Sequence, residues 1–132
     1  MADETEEDDL SIPDTDRLFR RVPPNQLEPL EDGAWRPTSS VFKNDRLSVN
    51  VECLMVEQGR PPEDTLANYP GHYLTSILAG DVRAKGHPIV KDAAPPNDPA
   101  HGLVLGKKKA SFANAMLKCH RWIVPPPKTG SG

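Results

Sequence analysis

"RLSVNVECL", residues 46 to 54, is the stretch on which the fold turns. Leu47, Val49, Val51 and Cys53 alternate with Ser48, Asn50 and Glu52. A period of two places one set on the buried face and the other on the polar face of a β-strand. Asn44-Asp45 supplies a turn just before it, which predicts a hairpin with a short strand at Val41-Phe42-Lys43. Upstream, "RLFRRV" at 17–22 reads as a first strand, with Leu18, Arg20 and Val22 on one face and Arg17, Phe19 and Arg21 on the other. Pro23-Pro24 stops it. The residues between, 25–40, read as a loop that turns at Asp32-Gly33.

Downstream the period changes. "RPPEDTLANY", 60–69, has the chemistry of a helix start, prolines followed by Glu63 and Asp64, but Pro70-Gly71 keeps it short. Tyr73, Leu74, Ile77, Leu78 and Val82 recur at helical spacing ahead of Gly86, which predicts a helix over 73–85, weakened by Gly80. "HPIVKD", 87–92, reads as a short strand, "AAPPNDP", 93–99, as a loop, and "AHGLVLG", 100–106, as a buried strand. "KASFANAMLKCHRWIV", 109–124, reads as a helix with Phe112, Met116, Cys119 and Ile123 on one stripe. The order β-β-β-α-α-β-β-α predicts an α+β domain: a small mixed sheet with two or three helices packed on it.

Composition sets the bounds of that domain. Hydrophobic residues make up 36% of the 132 and prolines number 15, which favours extended connections over long helices. Residues 1–16 contain eight acids and no base, so a disordered acidic tail is expected there. The remaining 16 Lys and Arg against 11 acids leave the rest of the chain near +5. Residues 17–124 read as a single domain, and the Pro-rich 125–132 as a second disordered tail. The start of the chain has no basic region followed by an apolar one, and no window suits a membrane span. Cys53 and Cys119 sit in apolar contexts and read as reduced thiols, so a cytoplasmic protein is expected.

The chemistry-bearing candidates gather in "NDPAHGLVLGKKKAS", 97–111. A phosphate-binding P-loop needs four residues between its glycines and a Ser or Thr after the lysine. "G-LVL-G-K" has three, and Lys108 follows, so that reading fails. His101, at the mouth of a strand after a turn, is a candidate general acid or base, or alternatively a half-exposed ring bonded to a loop carbonyl. Its candidate catalytic partners are Arg21 and Ser48, with Arg20 and Ser40 as further ligand-binding candidates. A set of this kind suits an anionic ligand or nucleotide; its bland alternative is a solvated sheet face. Lys107, Lys108 and Lys109 read either as a phosphate-contacting patch for nucleic acid or as a solvated turn. Four histidines and two cysteines show no metal-ligand spacing, and no cofactor is expected.

Taken together, "DRLFRRVPPNQL", "RPTSSVFKNDRLSVNVE", "GDVRAKGHPIVKD" and "NDPAHGLVLGKK" resemble, in this order, a group of small uncharacterised bacterial proteins. The likeness covers roughly residues 16–124 and implies a bacterial cytosolic protein. An arginine on the first strand, a "SS-F"-like segment and a later acid are also similar to ADP-ribosyltransferase-like folds, which set Arg, Ser and Glu around a nicotinamide cofactor. Here the matching Ser40 and Glu52 stand close in sequence, without a separate glutamate strand near the C-terminus. Three functions follow as expectations: a domain that binds a partner protein or an anionic ligand through Arg21, Ser48 and His101; an enzyme on a nucleotide or RNA, ADP-ribosyltransferase-like or nuclease-like, with His101 as acid or base; or a structural adaptor. Oligomeric state is left open.

Overall fold

The computed structural model describes residues 7–127. Six strands form one sheet in the order β6-β7-β4-β1-β5-β8: β1 (Arg17–Val22), β4 (Arg46–Val51), β5 (Tyr73–Leu78), β6 (Ile89–Lys91), β7 (His101–Leu105) and β8 (Arg121–Val124). A two-stranded ribbon, β2 (Leu27–Pro29) with β3 (Trp35–Pro37), stands apart. Three short helices complete the α+β architecture: α1 (Glu52–Glu57), α2 (Ala79–Ala84) and α3 (Ala110–Cys119). Where the sequence suggested a mixed sheet, each pairing is antiparallel. No helix among the described residues is long and apolar enough to cross a membrane.

The alternation of 46–51 holds as read, but the strand ends at Val51 and Glu52 opens α1 rather than continuing to Leu54. The cause is tertiary. α1 has no side-chain cap of its own, and the Asp16 carboxylate accepts the Cys53 N–H at 2.8 Å, while Glu52 accepts from the Arg17 N–H and guanidinium. Acidic groups at an orphaned helix start satisfy its free amides. Val41-Phe42-Lys43, expected as a strand in a hairpin with the 46–54 stretch, forms none: residues 39–42 make a 3₁₀ turn that buries Val41 and Phe42 completely, and β4 pairs with β1 and β7 instead. Asp32-Gly33 does turn the chain, with Gly33 at φ 83° where a side chain would strain, but it closes the β2–β3 hairpin instead of a bare loop.

Two predicted helical stretches are strands. Tyr73–Leu78 pairs with β1 along its whole length, from Arg17 opposite Leu78 to Val22 opposite Tyr73. It is central and covered on both faces, so its apolar residues do not alternate and their spacing mimics a helix. Arg121–Val124 leaves the α3 register at His120, whose ψ of 153° is extended. The aromatic and β-branched run before Pro125 suits a strand and cannot continue a helix into proline. Thr75 and Ser76 hydroxyls donate to Arg121 O, fixing β8 against β5.

On one face of the sheet Leu18, Val22, Leu47, Val49 and Val51 join Phe112, Ala113 and Met116 of α3 and Val41-Phe42 in the main core. The opposite face of β1, β4 and β7 carries Arg21, Ser48, Asn50 and His101, following the register Phe19↔Asn50 and Asn50↔His101. That face bears the site.

The expectation of a disordered tail over 1–16 needs correction where the chain is described. Ile12 is fully buried, Asp9 N donates to Ile89 O, and Arg83 holds the Asp8 and Asp14 carboxylates at 3.0 and 2.8 Å. The acids there find a cation and a strand edge, so the repulsion inferred from composition is offset. Residues 1–6 and 128–132 lie outside the described residues, and with them the start of the first predicted tail and most of the second.

Candidate functional site

A cleft of about 640 Å³ opens on the polar face, lined by Arg21, Ser48, Asn50 and His101 from three adjacent strands. Its walls are the 64–69 segment, with Thr65 and Tyr69, and the 96–99 loop. Three residues nominated from sequence as a catalytic set therefore share one concavity.

Each wall is tied to the sheet. Asn50, 2% exposed, donates through Nδ2 to Thr65 Oγ1 at 3.2 Å, and Thr65 Oγ1 in turn points to Met55 Sδ. Arg21 donates to Thr65 O at 3.3 Å, and its guanidinium carbon lies 3.8 Å from the centre of the Tyr69 ring, a cation–π contact that holds the group over the ring. Arg21 forms no ion pair with a carboxylate among the described residues. On the far wall Arg60 grips Asp98 through two N–H donors at 2.8 and 2.9 Å and also reaches Asp64 at 3.4 Å. The Arg60 hydrogen bonds hold the Asp98 carboxyl below its ordinary range, and Asp98 raises Arg60 in return. Arg60 thus pairs with both wall carboxylates, the Arg21 charge adds a smaller attraction to Asp98, and among the described residues Arg21 is the Lys or Arg that lines the hollow.

His101 is oriented from behind. Its Nδ1 lies 3.1 Å from Asp92 Oδ2 and 3.2 Å from Asp92 O, and Asn97 Nδ2 donates to the same two oxygens. Both neighbours of Nδ1 are acceptors, so Nδ1 carries a proton, and in the neutral ring Nε2 is the nitrogen with the lone pair.

The other nominated residues lie elsewhere. Arg20 points to the opposite face of β1, where it donates to Val41 O and Ser48 O; burial first, and then the nearby Arg21 charge, lower its pKa to about 10. It joins segments and does not line the cleft. Ser40 is exposed and bonds Thr38 Oγ1. Glu52 is paired with Arg17, so the Arg–Ser–Glu arrangement suggested by the ADP-ribosyltransferase likeness is not assembled around Arg21. The lysine run divides. Lys108 is buried, with its ammonium donating to Asp45 O, Val104 O and Gly106 O, whereas Lys107 and Lys109 are exposed and border a separate hollow with Lys85 and His87. Among the described residues, no three His, Cys, Asp or Glu side chains form a metal-binding group.

Sequence reasoning missed Asp92, Asn97, Tyr69 and the Arg60–Asp98 pair. "NDP" was legible only as a turn, and nothing local marks Arg60 as the partner of a residue 38 positions on. The chain matches no protein-family model, no curated protein and no solved structure, so the geometry alone carries the functional reading.

Proposed function

We propose that this domain binds a small monoanionic ligand in the Arg21–Ser48–His101 cleft. The observation that carries it is the Arg21 guanidinium, held over the Tyr69 ring, in no ion pair with a carboxylate among the described residues, and lining a concave space. Planar guanidinium forks suit carboxylate or phosphate oxygens. Among the described residues Arg21 is the one Lys or Arg lining the cleft, beside Asp64 and Asp98, which favours one negative charge over the several of a triphosphate. Amide and hydroxyl groups of Asn68, Asn97 and Ser48 supply further polar contacts. Concavity favours a small ligand over a flat protein partner, the other occupant expected from the sequence. The bacterial cytosolic setting implied by the sequence likeness fits two free, half-buried thiols.

Proton–nitrogen NMR titration with dimethyl phosphate, acetate, mononucleotides and NAD tests this. Shifts should centre on Arg21, Ser48, Asn50 and His101 with a monoanion, and Arg21→Gln should weaken binding roughly tenfold or more, about 1.4 kcal/mol. Shifts confined to Lys85, Lys107 and Lys109, or none with any ligand, would overturn the reading.

A further inference from the structure

Asp92 and His101 give the cleft more than a binding role. Asp92 is fixed on both sides: its backbone N–H donates to His101 O at 2.8 Å, and its carboxylate takes Asn97 Nδ2 at 3.1 Å. The carboxylate is therefore positioned before the ring meets it. Nδ1 carries the proton toward Asp92, and His101 lines the same cleft as Arg21. An imidazole and a guanidinium that no carboxylate pairs among the described residues thus serve one space, with a third group behind the base to set its tautomer. This is the geometry of a general base with its orienting residue.

The substrate class follows from what the two groups do together. A carboxylate bound by Arg21 resists attack at its own carbon, so anchor and base would act on different parts of the ligand. A phosphodiester is monoanionic at neutral pH and is attacked at the phosphorus that bears the charged oxygens, so both act on one group. Asp64 and Asp98 disfavour the dianion of a phosphomonoester.

Resting on the binding reading above, we propose that the cleft hydrolyses small phosphodiesters. Arg21 holds the non-bridging phosphate oxygens and offsets the charge that builds on them. His101 Nε2 removes a proton from a water as its oxygen forms a bond to phosphorus, and the ester P–O bond breaks. The leaving alkoxide takes a proton from solvent, His101 returns its own to solvent, and one water is consumed to give a phosphomonoester and an alcohol. Asp92 is the positioning residue for the His101 ring.

Turnover of bis(p-nitrophenyl) phosphate by the full chain is the test, beside p-nitrophenyl phosphate as the dianion and p-nitrophenyl acetate as the neutral ester. The diester should be the preferred substrate. His101→Asn should lower kcat by about 10²–10⁴-fold. Asp92→Asn should lower kcat with KM nearly unchanged, whereas Arg21→Gln should raise KM as well. Thermal melts confirm that each variant is folded, and His101→Asn purified in parallel controls for contaminating hydrolase. Binding of dimethyl phosphate without diester turnover would overturn the hydrolase and leave the binding site standing. No binding and no turnover would overturn both, as would equal turnover by His101→Asn for the catalytic role.

Discussion

Leu47 and Asn50 lie three residues apart on β4 and are almost equally hidden, 0% and 2% exposed, for opposite reasons. Leu47 belongs to the main core beneath α3 and the 39–42 turn, where burial removes apolar surface from water. Asn50 is covered by the 62–66 turn, and its amide keeps a partner in Thr65 Oγ1. One strand therefore carries an apolar row packed beneath α3 and a polar row whose Ser48 and Asn50 line the cleft. The cover over Asn50 rests on hydrogen bonds to Thr65 and on the Arg21–Tyr69 stack.

The division is sharpest where a core side chain is removed. Phe42→Ala deletes a fully buried ring and should cost about 3–5 kcal/mol of stability, read as a lowered denaturation midpoint. The folded fraction should still bind dimethyl phosphate with unchanged affinity; a matching loss of affinity would break the separation of the two faces.

Gly102 is where the faces meet, one residue beyond His101. A Cβ there would lie 2.7 Å from Val51 Cγ2 and 2.9 Å from Val90 O. The carbonyl belongs to the sheet backbone and cannot rotate aside, so Gly102→Ala should destabilise by about 1–3 kcal/mol. It should also weaken ligand binding by displacing His101. Loss of stability with intact binding would show that the cleft tolerates movement of β7.

The smallest effect concerns the cleft wall. The folded-state carboxyl of Asp98 titrates below its unfolded value, so the Arg60 pair contributes stability that is present above about pH 4 and lost as pH falls through the lowered value. The pair is partly exposed and worth on the order of 1 kcal/mol. The difference in melting temperature between the native chain and Asp98→Asn should hold from neutral pH to about 5 and close only in stronger acid. A difference that closes already near neutrality would remove Arg60–Asp98 from the wall's support.

What could be read from sequence tracks the range of the forces involved. β1, β4 and β7 were legible because alternation or a bounded aliphatic run records burial within a few residues. The same alternation put Ser48 on the cleft side of β4, and the 17–22 pattern put Arg21 on the face away from Leu18. β5 was missed because a strand covered on both sides has no alternation to show, and β8 because its apolar residues continue the stripe of α3. Lys108 looked like a charged surface residue; its burial depends on three carbonyls converging from β7, its following turn and the loop before β4.

By itself, then, the sequence determined the α+β class, the strands at 17–22, 46–51 and 101–105, and the alternation that sets Ser48 on the face away from Leu47 and Arg21 on the face away from Leu18. Each follows from local periodicity and turn chemistry. Tertiary structure decided that the polar face would be roofed, that Arg60 would pair with Asp98, that Asp92 would stand behind His101, and that Arg21 would lie over Tyr69 with no ion-paired carboxylate among the described residues. These depend on desolvation and charge pairing between groups far apart in sequence, whose energies are set only when the chain has brought them together.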